Sequence, residues 1–154
     1  TSNGSWSPTP TSYGYRWYRN GVAITGATGR TYTPRTADAG RYLKVTVTAR
    51  RAGYKNKPAT SYRVGIPMHF TTRPYISGTP AVGRTLTARV GAWTPKPSSY
   101  RYRWYRNGVP ITGATAKTYT VRRIDRGKRV RARVTARRTG YVSGSAITYS
   151  RLIR

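Results

Sequence analysis

The feature that most constrains this chain is a repeat with a fixed offset. Residues 15–22 read YRWYRNGV and recur as residues 102–109, an offset of 87 (102 − 15). The same offset relates Trp6 to Trp93, the ITGAT stretch beginning at Ile24 to the one beginning at Ile111, Asp38 to Asp125, and Gly53-Tyr54 to Gly140-Tyr141. Such a period is too long for most solenoid repeats and suits a β-sandwich domain of about 100 residues or slightly fewer. The expected organisation is a first repeat over residues 1–66, a linker over 67–75 broken by Pro67 and Pro74, and a second repeat over 76–154. Prolines in such a stretch interrupt the alternation that a strand requires.

The residues that fill the repeat are those of strands. Aromatic content is carried by 14 Tyr and 4 Trp against one Phe, and 16 Gly with 10 Pro punctuate the chain as often as short strands need turns. In the second repeat Leu86, Ala88 and Val90 alternate with Thr85, Thr87 and Arg89. Tyr100, Tyr102 and Trp104 alternate with Arg101, Arg103 and Tyr105, before an Asn107-Gly108 turn. Val130, Ala132, Val134 and Ala136 alternate with Arg129, Arg131, Arg133 and Thr135. A period of two places one set inside and the other outside a half-buried sheet. The chain therefore reads as all-β.

These elements carry a family resemblance. A strand-borne Trp followed by Tyr-Arg-Asn-Gly, then Gly-Ala-Thr, Thr-Tyr-Thr, Asp-x-Gly and a Val-Thr-Ala strand ending near Gly-Tyr resembles the bacterial immunoglobulin-like repeats of secreted and cell-wall proteins, especially those of actinobacteria. The resemblance implies two tandem immunoglobulin-like β-sandwiches, with Trp17 and Trp104 on strand C and the strands ending at Ala49 and Ala136 as strand F. It implies a secreted, extracellular location at a bacterial cell surface and a role as spacer or adhesion module, and it brings no catalytic residues. Two departures stand out. The alternation Leu43, Val45, Val47 puts Tyr42 on the outer face rather than in a tyrosine corner, and the arginine content exceeds that of a plain spacer.

Thirty Lys and Arg face two acidic residues, for a net charge of +28. Solubility alone asks for a magnitude of about 2 to 8 in a small domain, so the excess points to a partner: an anionic polymer such as teichoic acid, nucleic acid or another polyanion, or an acidic protein surface. Catalysis is not expected. Asp38 and Asp125 are the only carboxylates and fall in different repeats, so they cannot form the adjacent pair of acid–base chemistry; each is expected to bond backbone N–H groups at a turn. His69 is the only histidine and there is no cysteine, which leaves no metal-ligand set and implies no cofactor. No apolar run is long enough to span a bilayer, so membrane insertion is not expected. The chain opens on Thr1 without the regions of a signal peptide, and so reads as a processed product or a piece of something longer.

Placed on an immunoglobulin-like sandwich, where strands C and F are neighbours, the basic residues gather. Arg101, Arg103 and Tyr105 are expected beside Arg129, Arg131 and Arg133, with Arg137 and Arg138 continuing the patch. Alternate strand residues lie about 6.6 to 6.8 Å apart, close to the repeat between phosphates along a nucleic-acid or polyol-phosphate backbone. Guanidinium groups bind phosphate bidentately and Tyr offers a stacking surface. The corresponding first-repeat face, with Arg16, Tyr18 and Lys44, is weaker. A second expectation comes from counting. Residues 76–90 precede Gly91, whereas only residues 1–3 precede the equivalent Gly4, so the first sandwich should lack its initial strands. An exposed edge of that kind invites strand addition, and the gap is expected to be filled either by an upstream part of the same protein or by a strand from another molecule, the latter suiting a structural subunit of an extracellular fibre, surface layer or virus-like particle that self-assembles through a neighbouring chain.

Overall fold

The structure, a computed structural model, describes residues 2–154. It divides into two compact units, Thr1–Ile66 and Pro67–Arg154. Apart from two single 3-10 turns, Thr36–Asp38 and Arg123–Asp125, the regular elements of the described residues are all strands.

In the first unit β1 (Ser12–Arg19), β2 (Val22–Ala23), β3 (Tyr42–Arg50), β4 (Lys57–Thr60) and β5 (Val64–Gly65) form one five-stranded antiparallel sheet, ordered β2-β1-β3-β4 with β5 also on β3. Along β3 the burial alternates as the sequence does: Leu43, Val45, Val47 and Ala49 are buried, while Lys44, Thr46 and Thr48 are half-exposed. No second sheet occurs among the described residues of this unit.

The second unit begins with β6 (His69–Thr72), β7 (Tyr75–Ser77), β8 (Thr85–Arg89) and β9 (Ala92–Thr94). It continues with β10 (Ser99–Arg106), β11 (Val109–Pro110), β12 (Thr118–Thr120), β13 (Arg129–Arg137), β14 (Gly144–Ile147) and β15 (Arg151–Leu152). A sheet ordered β11-β10-β13-β14, with β15 also on β13, faces a three-stranded sheet β12-β8-β7, and β6 pairs with β9. The inner residues of both sheets make one core: Leu86 and Ala88 from β8, Trp104 from β10, and Val130, Ala132, Val134 and Ala136 from β13, all at 0% exposure. This is an immunoglobulin-like sandwich, with β10 and β13 as the adjacent strands C and F. Every strand of the first unit has a counterpart 87 residues on, from β1 and β10 to β5 and β15.

The segment 67–75 is not a linker. It belongs to the second unit and holds β6, which pairs antiparallel with β9. Met68 is buried in the core, and the Phe70 ring packs edge-on against Trp93 with centroids 5.9 Å apart. The prolines flank the short strand instead of breaking it, since Pro is tolerated at strand ends. The second unit thus starts at Pro67 and not at Ile76.

Candidate functional site

The basic face is built by the β10–β13 ladder. Asn107 takes a positive φ of 44° and Gly108 one of 86°, which turns the chain tightly after β10. The Asn107 side-chain oxygen accepts the Arg129 backbone N–H at 2.8 Å, tying the start of β13 to the end of β10. The register that follows sets Tyr105 opposite Arg131, Arg103 opposite Arg133, Arg101 opposite Thr135 and Ser99 opposite Arg137. Arg101 thus faces Thr135 rather than an arginine, and Arg129 stands opposite Leu152 of β15. All of these side chains share the outer face by strand parity, because Trp104, Ala132 and Val134 between them are buried.

Tyr105 is half-buried between cations. The Arg131 guanidinium carbon lies 5.8 Å and that of Arg133 5.6 Å from its ring centroid, within cation–π range. Arg131 is itself half-buried, and its Nε is a buried nitrogen without a hydrogen-bond partner among the described residues. Arg101, Arg103, Arg129, Arg133 and Arg137 are exposed. Arg138 does not join this face. It follows the end of β13, where its guanidinium lies 4.6 Å over the Tyr141 ring and donates to the Lys96 carbonyl at 3.4 Å. Arg51 does the equivalent work in the first unit, over Tyr54 and on the Thr9 carbonyl.

The first-unit face is thinner. Arg16 stands opposite Thr46, and Lys44 opposite Tyr18 with its Nζ 5.3 Å from the ring centroid. Arg50 reaches back over Gly14, where a side chain would touch its guanidinium at 3.2 Å. Sequence reasoning missed Arg50 and also Arg63, whose guanidinium lies 4.4 Å over the Tyr42 ring on the same unit.

No carboxylate tempers either face. Asp125 is fully buried, accepting the Arg106 Nε–H at 2.5 Å, the Tyr119 hydroxyl at 2.7 Å and the Arg122 backbone N–H at 2.7 Å. Asp38 repeats the arrangement with Arg19 at 2.6 Å, Tyr32 at 2.8 Å and the Arg35 N–H at 2.7 Å. Burial alone would push each carboxyl up; the backbone N–H, the tyrosine hydroxyl and the guanidinium outweigh it and hold both below the ordinary aspartate range. The expected backbone bond is present, but the buried ion pair was not foreseen. Its signal was available, since Arg19 and Arg106 share the offset of the aspartates. Each Asp is thereby committed to the fold. His69 is exposed on β6, and the described residues contain no cluster of three His, Cys, Asp or Glu. No described helix is long and apolar enough to cross a membrane.

No protein-family model matches the chain, and no curated protein matches it. Among solved structures it is similar to the amphioxus IgVJ-C2 molecule at 15% identity, over 96% of this chain and 92% of that one, with a TM-score of 0.36.

Proposed function

We propose that the protein is a non-catalytic module that binds a linear polyanion through the outer face of β10 and β13. The observation that carries this reading is the direct opposition of Arg103 and Arg133 in the ladder, flanked by Arg101, Arg131 and Arg137, with no carboxylate on the face. Like charges directly opposite each other destabilise a sheet, and an anion bridging them converts that repulsion into two charge-assisted hydrogen-bonding partners. Tyr105 holds two of the guanidiniums in place before any ligand arrives, which lowers the ordering cost of binding.

The ligand this face suits is a phosphodiester polymer recognised by its backbone. Contacts distributed along extended strands read charge spacing and not base edges, so sequence-specific recognition of nucleic acid is not part of the proposal. The resemblance to bacterial cell-wall repeats supports a secreted protein whose natural ligand is a surface polymer of the teichoic-acid kind. Fluorescence anisotropy with labelled single-stranded DNA, competed by teichoic acid and by neutral dextran, tests it. Teichoic acid should displace the DNA and dextran should not; displacement by dextran, or no DNA binding at low salt, would overturn the proposal.

A further inference from the structure

The tyrosine on the arginine ladder is already occupied. Tyr105 is half-buried with the Arg131 and Arg133 guanidiniums against its ring, and Tyr100 and Tyr102 on the same strand pack against the core. Tyr149 is different. It is 74% exposed, and the guanidinium carbon of Arg73 lies 5.0 Å from its ring centroid. Arg73 is fixed by two further contacts. It donates to the Ile147 carbonyl at 3.0 Å, and its guanidinium carbon lies 5.3 Å from the centroid of Phe70, which itself packs on Trp93. A ring backed by an anchored cation and otherwise open to water is a preorganised stacking surface, because its freedom is restricted before a ligand arrives.

The course of the chain after β14 brings this ring to the arginine face. Ile147 stands opposite Arg133. Thr148 is buried; its backbone N–H donates to the Ala132 carbonyl at 2.9 Å and its hydroxyl accepts the Ala132 N–H at 3.0 Å. Those two bonds carry the path of β14 one residue past its end. Successive side chains on such a path alternate between faces, so with Thr148 turned inward, Ile147 and Tyr149 emerge on the outer face beside Arg133 and Arg131. Neighbouring strands lie about 4.7–4.9 Å apart. A polymer lying along β13 therefore passes within about one strand spacing of the Tyr149 backbone.

We propose that Tyr149, backed by Arg73, is a stacking subsite for a flat-faced ring carried by the polyanion. The ligand is then a ring-bearing phosphodiester and not a bare chain of phosphates. This inference rests on the polyanion reading above and adds to it a residue outside the arginine ladder. The chemistry recognised is a ring face laid on the tyrosine, whether that of a nucleobase or of a pyranose substituent on a polyol phosphate. The arginines fix where the backbone lies, and the ring contact selects what that backbone carries.

Isothermal titration calorimetry at low salt tests it on the full chain, on Tyr149→Leu and on Tyr149→Phe. The probes are oligothymidylate, inorganic polyphosphate, and teichoic acid with and without sugar substituents. Tyr149→Leu should weaken binding of at least one ring-bearing probe by about tenfold and leave polyphosphate and unsubstituted teichoic acid unchanged. Tyr149→Phe, which keeps the ring, should bind every probe as the unaltered chain does. Dependence on Tyr149 for oligothymidylate alone identifies the ring as a base, and for the substituted teichoic acid alone as a sugar; either upholds the subsite. Equal weakening of ring-bearing and bare polymers, no change in any, or a Phe variant as weak as the Leu variant would overturn it. Failure of every probe to bind the unaltered chain would instead overturn the polyanion reading, and the subsite with it.

Discussion

Arg103 and Arg133 face each other across neighbouring antiparallel strands, whereas the same two positions in the first unit hold Arg16 and Thr46. One repeat thus carries a repulsive pair that the other lacks, on the same backbone. Replacing Arg133 by Thr should stabilise the second unit by about 0.2–1 kcal/mol at low salt without ligand, while weakening its binding to single-stranded DNA. Chemical denaturation and anisotropy on the same variant check the two signs. A variant that loses stability would show that the pair is not strained.

The carboxylates answer to pH. The folded values of Asp38 and Asp125 are lowered, so their stabilisation is fully present above the unfolded aspartate value near 3.9 and is lost as pH falls through the lower folded values. Stability should therefore decline in acid below about pH 4. Asp125→Asn should flatten that decline in the second unit. At neutral pH it should destabilise that unit by about 3–5 kcal/mol, because Arg106 loses the partner of a largely buried pair. Urea titrations from pH 2 to pH 7 measure both effects.

The equivalent tryptophans should differ in weight. Trp104 is fully enclosed and stacks on Tyr119 with ring centroids 5.4 Å apart, so Trp104→Ala should cost the second unit about 3–5 kcal/mol. Trp17 makes the matching contact with Tyr32 at 5.5 Å but is half-exposed. Trp17→Ala should cost its unit clearly less. Thermal unfolding followed separately in each unit by NMR makes the comparison.

Gly144→Ala should be worse than any ordinary strand substitution, because the new methyl meets the Met68 backbone rather than a flexible side chain. A loss of about 1–3 kcal/mol is expected from overpacking. Lys57→Ala, at the equivalent position of the first unit, should be near neutral in stability. Denaturation curves of the two variants side by side settle the matter.

The parts of the fold that could be read from the chain were those written as a period. The 87-residue offset carries each of the five first-unit strands onto a second-unit strand, and the alternation of Val130, Ala132, Val134 and Ala136 predicts their burial. The pairing of neighbouring strands was readable because it follows from the sandwich, but the register was not, because it depends on where the Asn107 turn closes. The β6 strand was missed because Met68 and Phe70 show only one apolar alternation between two prolines. The Arg106–Asp125 pair was not foreseen because nothing local distinguishes a guanidinium turned towards a buried carboxylate from one turned to water. Arg138 was misplaced for a related reason: the ladder ends at Arg137, and the next side chain leaves the face.

The central claim is that phosphate binds along the β10–β13 face, and the salt dependence of single-stranded DNA binding tests it most directly. Each phosphate neutralised on a single strand contributes a slope of about −0.7 to log K against log salt. The full chain should therefore show a slope of roughly −4 if about six arginines engage, and Arg131→Ser with Arg133→Ser should reduce its magnitude by about 1.4. The corresponding first-unit substitutions, Lys44→Ser with Thr46 left in place, should change it by no more than about 0.7. An affinity insensitive to salt, or a double variant with the slope of the unaltered protein, would contradict the account.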